Sequence, residues 1–242
     1  VKILNDYGIR CTFNLNSGNI EGNPAKVQFE ELEALYKGHE IASHSYTHPH
    51  LDYLDSGEIA YQIIKDRETL EEKLCKIVRG FAYPFGLSET AGMVDCIGKC
   101  GIRYARTTIA SHNFELPADY LRWNPTCHHA DREFPRLAEA FFEPDDTEHP
   151  WRIRPRLFYI WGHSYEFKDK WENLEKLCET VGRKKNVWYC TNMELIDYIS
   201  GFERLEYSAN GKIVYNPTSA DLYAVADGKE IIIKKGETLF FE

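Results

Sequence analysis

The chain has 242 residues, 43% of them hydrophobic and 28% charged, enough for one sizeable core or for a domain with a small appendage. Its 29 basic and 38 acidic side chains leave a net charge of −9, which argues against a nucleic-acid or anionic-membrane surface. No apolar run approaches the ~18 residues that a membrane-spanning helix needs.

In chain order, "VKILNDYG" reads as the end of an amphipathic helix closed by Gly8. A chain opening inside a helix is expected to follow an upstream strand. "IRCTFNL" reads as a strand, "QFEELEALYKG" as a helix, and "HEIAS" as a short strand that runs into a histidine-rich loop. "SGEIAYQIIKDRETLEEKLCK" gives the clearest helix: Ser56 can cap it, and Ile59, Ile63, Leu70, Leu74 and Ile77 fall near one face. "VRGFAYP" reads as a strand, "SETAGMVDCIGKC" as a helix, "IRYARTT" as a strand and "LRWNPTC" as a strand or extended loop. "REFPRLAEAFFE" is partly helical, and "RLFYIWGHS" is a strong strand between Pro155 and Gly162. "KWENLEKLCETVG" is a helix closed by Gly182, "NVWYCT" a strand, and "NMELIDYIS" a helix ended by Gly201.

This alternation predicts an α/β fold of about seven parallel strands over residues 1–201. Residues 202–242 change character: Asn210-Gly211 and Asp227-Gly228 each sit between short apolar runs, the pattern of a small antiparallel β appendage. The seven cysteines, Cys11, Cys75, Cys96, Cys100, Cys127, Cys178 and Cys190, are odd in number and show no disulfide framework. They read as reduced thiols, and the expected compartment is the cytoplasm. Cys96 and Cys100 lack the second pair that a zinc site needs.

Parallel α/β folds bind ligands beyond the C-terminal ends of their strands. His44 and His48 follow "HEIAS", Phe85 and Gly86 follow "VRGFAYP", and His163 follows "RLFYIWG", so these stretches are expected to open onto one rim. Within a helical turn, residues 44 and 48 would share a face and present two imidazoles to one divalent ion, zinc first. No spacing rule requires His50. His128 and His129 are adjacent, so on a strand at most one faces the rim.

These motifs resemble those of the NodB-homology polysaccharide deacetylases, carbohydrate esterase family four. "HSYTHP" is similar to the family's His-Ser/Thr-x-x-His-Pro motif, "CTFNLNSG" to the strand after its first motif, "FAYPFG" to its third motif, and "FYIWGHS" to its last. The resemblance covers roughly residues 1–201. It implies an irregular (β/α) barrel and metal-dependent hydrolysis of an N-acetyl amide or O-acetyl ester on a carbohydrate. His44 and His48 would hold the ion, the backbone N–H near Phe85 would stabilise the oxyanion, and His163 would act as general acid. Trp161, Tyr83, Trp123 and Glu166 would contact substrate.

Three departures matter. The family's Thr-Phe-Asp-Asp motif is absent, and is expected upstream of Val1. Asp145-Asp146 follows a helix and reads as a solvated turn. Ala82 stands where many members carry an arginine that orients the base. An ion held by two imidazoles alone would keep several waters and bind weakly. The alternatives are a non-catalytic carbohydrate-binding or regulatory module on a degenerate scaffold, and an amidase acting on an acetylated small molecule.

Overall fold

The computed structural model describes residues 1–88, 90–143, 155–226 and 228–241; the reading of Asp145-Asp146 lies outside them. The chain forms two compact units. The described residues of the first run to Glu143 and from Pro155 to Asn192, and those of the second begin at Met193.

The first unit alternates strand and helix: α1 (Lys2–Asp6), β1 (Thr12–Leu15), α2 (Phe29–Leu35), β2 (Glu40–Ser43), α3 (Ser56–Leu74), β3 (Gly80–Ala82), α4 (Ala91–Lys99), β4 (Tyr104–Arg106), β5 (Cys127–His128), α5 (Phe134–Phe142), β6 (Ile160–Trp161) and α6 (Trp171–Val181). Strands β1, β2, β3 and β4 pair in that order, all parallel, and β5 pairs in parallel with β6. A single parallel bridge joins Arg106 to Trp123. The α/β class and the parallel sheet are present. Among the described residues no ladder closes the strands into a ring.

Helix α3 shows why this sequence folds so. Its cap is Asp55, not Ser56: the Asp55 carboxylate accepts from the Glu58 amide at 2.9 Å, and Glu58 reaches back to the Asp55 amide at 3.1 Å. Ile59 and Ile63 bury against Phe81, Met93, Val94 and Ile97, while Leu70 and Leu74 bury against Ile20, Leu32 and Val78. Each such side chain contributes roughly 2–3 kcal/mol of transfer free energy. Ile77, expected on the same face, is 74% exposed, because the helix ends at Leu74 with Cys75 in the left-handed region at φ 51°.

Two expected strands differ. In "RLFYIWGHS" only Ile160 and Trp161 are ladder residues, because the Tyr159 amide donates to the Thr126 hydroxyl at 3.0 Å instead of to a strand carbonyl. "NVWYCT" forms no strand; Tyr189 anchors it through its hydroxyl, which donates to the Val181 carbonyl at 2.6 Å.

The second unit contains most of α7 (Asn192–Glu203), which runs past Gly201, followed by β7 (Glu206–Tyr207), β8 (Ile213–Tyr215), β9 (Leu222–Ala226), β10 (Lys229–Ile233) and β11 (Thr238–Phe240). All of its pairings are antiparallel: β7 with β8, β8 with β11, and β9 with β10. Leu205, Val214, Leu222 and Ile233 form its core. Buried Asn216 ties the loops together, donating to the Ala220 and Ile233 carbonyls and accepting from Thr218.

Cys11, Cys75, Cys96, Cys100, Cys127 and Cys178 are free thiols. No helix among the described residues is long and apolar enough to cross a membrane.

Candidate active site

The chain leaves β2 at Ser43 and enters the histidine loop. His44 and His48 converge, with ring centroids 4.7 Å apart. They do not do so on a helical turn. Ser45 and His48 both sit in the left-handed region, at φ 66° and 62°, and these two reversals bring the rings together. His44 Nδ1 donates to the Ala82 carbonyl at the end of β3, at 2.7 Å, which leaves the Nε2 lone pair free to bind an ion. The Asn16 amide spans the loop, donating to the carbonyls of His44 and Ser45.

Beneath the loop lies Asp66, fully buried on the apolar face of α3. One carboxylate oxygen accepts from the Ser17 amide at 2.7 Å and its hydroxyl at 2.6 Å; the other accepts from the Ser43 hydroxyl and, at 3.3 Å, from the His44 amide. The Asp66 side chain thus fastens the segments leaving β1 and β2 to one helix. Burial pushes its carboxyl up to about 6 although these donors pull it down. Sequence reasoning missed it, yet a signal exists: Asp66 interrupts the run of apolar positions 59, 63, 70 and 74.

Phe85 sits at φ 59°, its ring stacked on His50 at 3.7 Å and edge-on to His48 at 4.7 Å. His50, which no spacing rule singled out, therefore holds Phe85 against the histidine pair.

Burial drives His44 down to about 3; the Ala82 carbonyl opposes this, and the charges of His48, Arg106 and His163 deepen it. His48 is lowered chiefly by burial, with His163 adding to the effect. Both imidazoles are therefore neutral and competent as ligands near neutral pH. They fit two positions of a divalent ion, and among the described residues no third ligating side chain joins them.

The Arg106 guanidinium lies over the Trp161 ring, 4.6 Å from its centroid, and Trp161 in turn meets His163 at 5.4 Å. Arg106 is the register partner of Ala82, so its side chain leaves the sheet at the strand end where the resemblance expects an arginine.

His163 Nδ1 lies 3.2 Å from Glu166 Oε2, and the same oxygen accepts from the His163 amide at 2.7 Å. Nε2 of both His128 and His129 also lies 3.1 Å from it. Burial raises Glu166, but the His163 amide and the neighbouring imidazoles outweigh it and hold the carboxyl at about 2. An ionised carboxylate only accepts, so all three imidazoles donate to it. Both adjacent histidines reach the cluster because β5 ends at His128 and strand alternation stops there. His128, His129 and Glu166 are the only three ligating groups within 4.8 Å of one another among the described residues. The Ala130 amide donates to His128 Nδ1 at 3.2 Å, however, which places the proton on Nε2 and makes this a hydrogen-bonded hub rather than a set of free ligands.

Tyr83 and Trp123 do not line the rim. Each is 1% exposed: Tyr83 donates to the Leu121 carbonyl at 2.7 Å, and Trp123 packs edge-on to Tyr104 and Tyr159. Both rings are core. An exposed Tyr165 that sequence reasoning passed over stacks on His163 at 4.8 Å.

The family model described as polysaccharide deacetylase matches residues 1–105. The match to the polysaccharide deacetylase family thus lies in the stretch that carries β1 to β3 and the histidine loop. An uncharacterized Bacillus subtilis protein, YlxY, is 29% identical over 119 residues, which is 49% of this chain and 35% of that relative. The chain thus spans about a third of the length of the curated relative it matches. Among solved structures, a Bacillus anthracis protein described as a CE4-family pseudoenzyme is 20% identical, with 81% of this chain and 58% of that chain covered at a TM-score of 0.52. The Xyl-CE4 domain of a multidomain xylanase from the hindgut metagenome of Trinervitermes trinervoides is 16% identical, with 87% and 90% covered at a TM-score of 0.51. These two likenesses give the deacetylase fold beyond residue 105.

Proposed function

We propose that this chain is the body of a metal-dependent hydrolase that removes an N- or O-acetyl group from a carbohydrate. The observation that carries the reading is the convergence of the His44 and His48 rings, with His44 Nδ1 fixed on the Ala82 carbonyl, near an imidazole at position 163 whose Nδ1 is fixed on Glu166. His44 and His48 would hold the ion through neutral nitrogens. A bound divalent ion supplies Lewis acidity to the acetyl carbonyl and acidity to a water.

The other roles fall to the chain's own groups. His163, donating through Nδ1 to the Glu166 carboxylate, presents Nε2 outward, where an Nε2–H would protonate the leaving amine or alcohol. Phe85, pinned between His48 and His50, would offer its backbone N–H to the oxyanion. Trp161 walls the acetyl side, and exposed Tyr165 offers a ring to a sugar face.

Acetate release from chitin oligosaccharides and acetylated xylan by the zinc-loaded protein tests this. Turnover is expected to fall roughly 10²–10⁴-fold in His163→Ala and to vanish in the His44→Ala/His48→Ala double variant. No acetate from either substrate contradicts the reading. One observation favours a second reading, a non-catalytic carbohydrate-binding module: no third ligand joins His44 and His48 among the described residues. Saturable oligosaccharide binding without acetate release would select it.

A further inference from the structure

Phe85 holds φ 59° and ψ 4°, a backbone conformation that a bulky residue keeps only where its surroundings impose it. Gly86 follows at φ 78°, in a gap beside Thr108 that a Cβ would fill, and this fixes the exit of the turn. It does not fix the ring, which is 51% exposed and gains little from burial. The ring is held by other rings. His50 stacks on it face to face, with centroids 3.7 Å apart and planes 6° from parallel, and His48 meets it edge-on at 4.7 Å. Tyr53 backs His50 from the far side at 5.2 Å and 24°, and is itself 80% exposed. His50 Nδ1 lies 3.7 Å from the Asp52 carboxylate, and Leu51 between them is buried in the core. A column of three rings, Tyr53, His50 and Phe85, is therefore rooted beside the histidine loop and ends against His48.

We propose that His50, backed by Tyr53, is a positioning residue: its ring clamps Phe85 in the left-handed conformation and so sets where the Phe85 N–H stands relative to His48. The catalytic consequence rests on the hydrolase reading, in which that N–H stabilises the oxyanion; the hold on the backbone needs neither metal nor turnover. Without the stack, Phe85 is free to relax to negative φ, and the peptide plane that carries its N–H swings away. An oxyanion donor acts on charge that exists only in the transition state, so displacing it lowers kcat and spares KM. The role belongs to the ring and not to its nitrogens, so a phenylalanine at position 50 can fill it.

The test has two arms. In the metal-free 242-residue protein, the Phe85 Cα and Cβ NMR shifts report its backbone: the parent and His50→Phe keep left-handed values, and His50→Ala loses them. In the zinc-loaded protein acting on chitin oligosaccharides or acetylated xylan, His50→Ala lowers kcat about tenfold or more, short of the roughly 10²–10³ that loss of a whole oxyanion donor costs. KM and zinc affinity stay as in the parent, and His50→Phe restores turnover. Tyr53→Ala removes a solvent-facing ring without touching the core, so it tests the column even if His50→Ala fails to fold; it shifts the Phe85 signals part-way and lowers kcat about twofold to tenfold. No acetate from the parent refutes the hydrolase reading and leaves the first arm to decide the hold of His50 on Phe85. Left-handed Phe85 shifts retained in both alanine variants, an unchanged kcat in His50→Ala, zinc affinity lost with His50, or no rescue by His50→Phe would overturn the proposal.

Discussion

The two histidine clusters of the first unit are built in opposite ways. His44 and His48 stand on a dry foundation: the Ala82 carbonyl fixes one ring, and fully buried Asp66 fixes the backbone below it. His128, His129 and His163 stand around one carboxylate that water reaches, with Glu166 exposed and its partners only half-buried. The first arrangement keeps imidazoles neutral and rigid, as ligands need to be. The second gathers imidazole protons around a fixed negative charge, as proton transfer needs. The same residue type thus stands in two settings because the carboxylate that supports it is buried in one and exposed in the other.

If the first cluster depends on its buried foundation, Asp66→Ala should have the largest effect. It strips the partners from the Ser17 and His44 amides and the Ser43 hydroxyl, and a loss of about 3 kcal/mol in denaturant unfolding is expected. A loss under about 1 kcal/mol would break the contrast. Glu166→Gln should cost less, about 1–2 kcal/mol, because water can replace the lost carboxylate. Its sharper signature is spectroscopic: imidazole signals of His128, His129 and His163 move, while those of His44 and His48 stay. Movement of all five would mean that the clusters are not independent.

The smallest effect concerns His112 and Asp131, linked at 2.8 Å at the surface. The His112 hydrogen bond holds Asp131 below its usual 3.8. A depressed carboxylate stabilises the fold above its unfolded pKa, and that contribution disappears as pH falls through the folded value. Asp131→Asn should therefore lose less than about 1 kcal/mol at pH 7 and nothing at the acid end, measured by urea unfolding at several pH values.

Much of this was legible in the sequence, for reasons that particular residues make clear. Periodicity placed α3, and the Asn210-Gly211 turn placed the β7–β8 hairpin, because both signals are local. The strand ends named His44, His48 and His163, since a parallel sheet sends its ligands to one edge. What failed was non-local. The Ser45 and His48 backbone reversals leave no periodic trace, so the loop passed for a helical turn. Tyr83 and Trp123 carry side chains suited to a sugar wall, but packing alone decides that they are core. Asp66, Arg106 and the contacts of Glu166 with His128 and His129 act across 20 to 60 positions, which no spacing rule reaches.

The central claim is that His44 is a neutral imidazole, protonated on Nδ1, with Nε2 held open for an ion. Imidazole nitrogen NMR of the 242-residue protein from pH 8 to pH 4, before and after adding zinc, tests it most directly. The account predicts that His44 stays neutral with its proton on Nδ1 across that range, and that zinc shifts its Nε2 signal together with one nitrogen of His48. Titration of His44 near 6.5, or zinc shifts confined to His128 and His129, would contradict it.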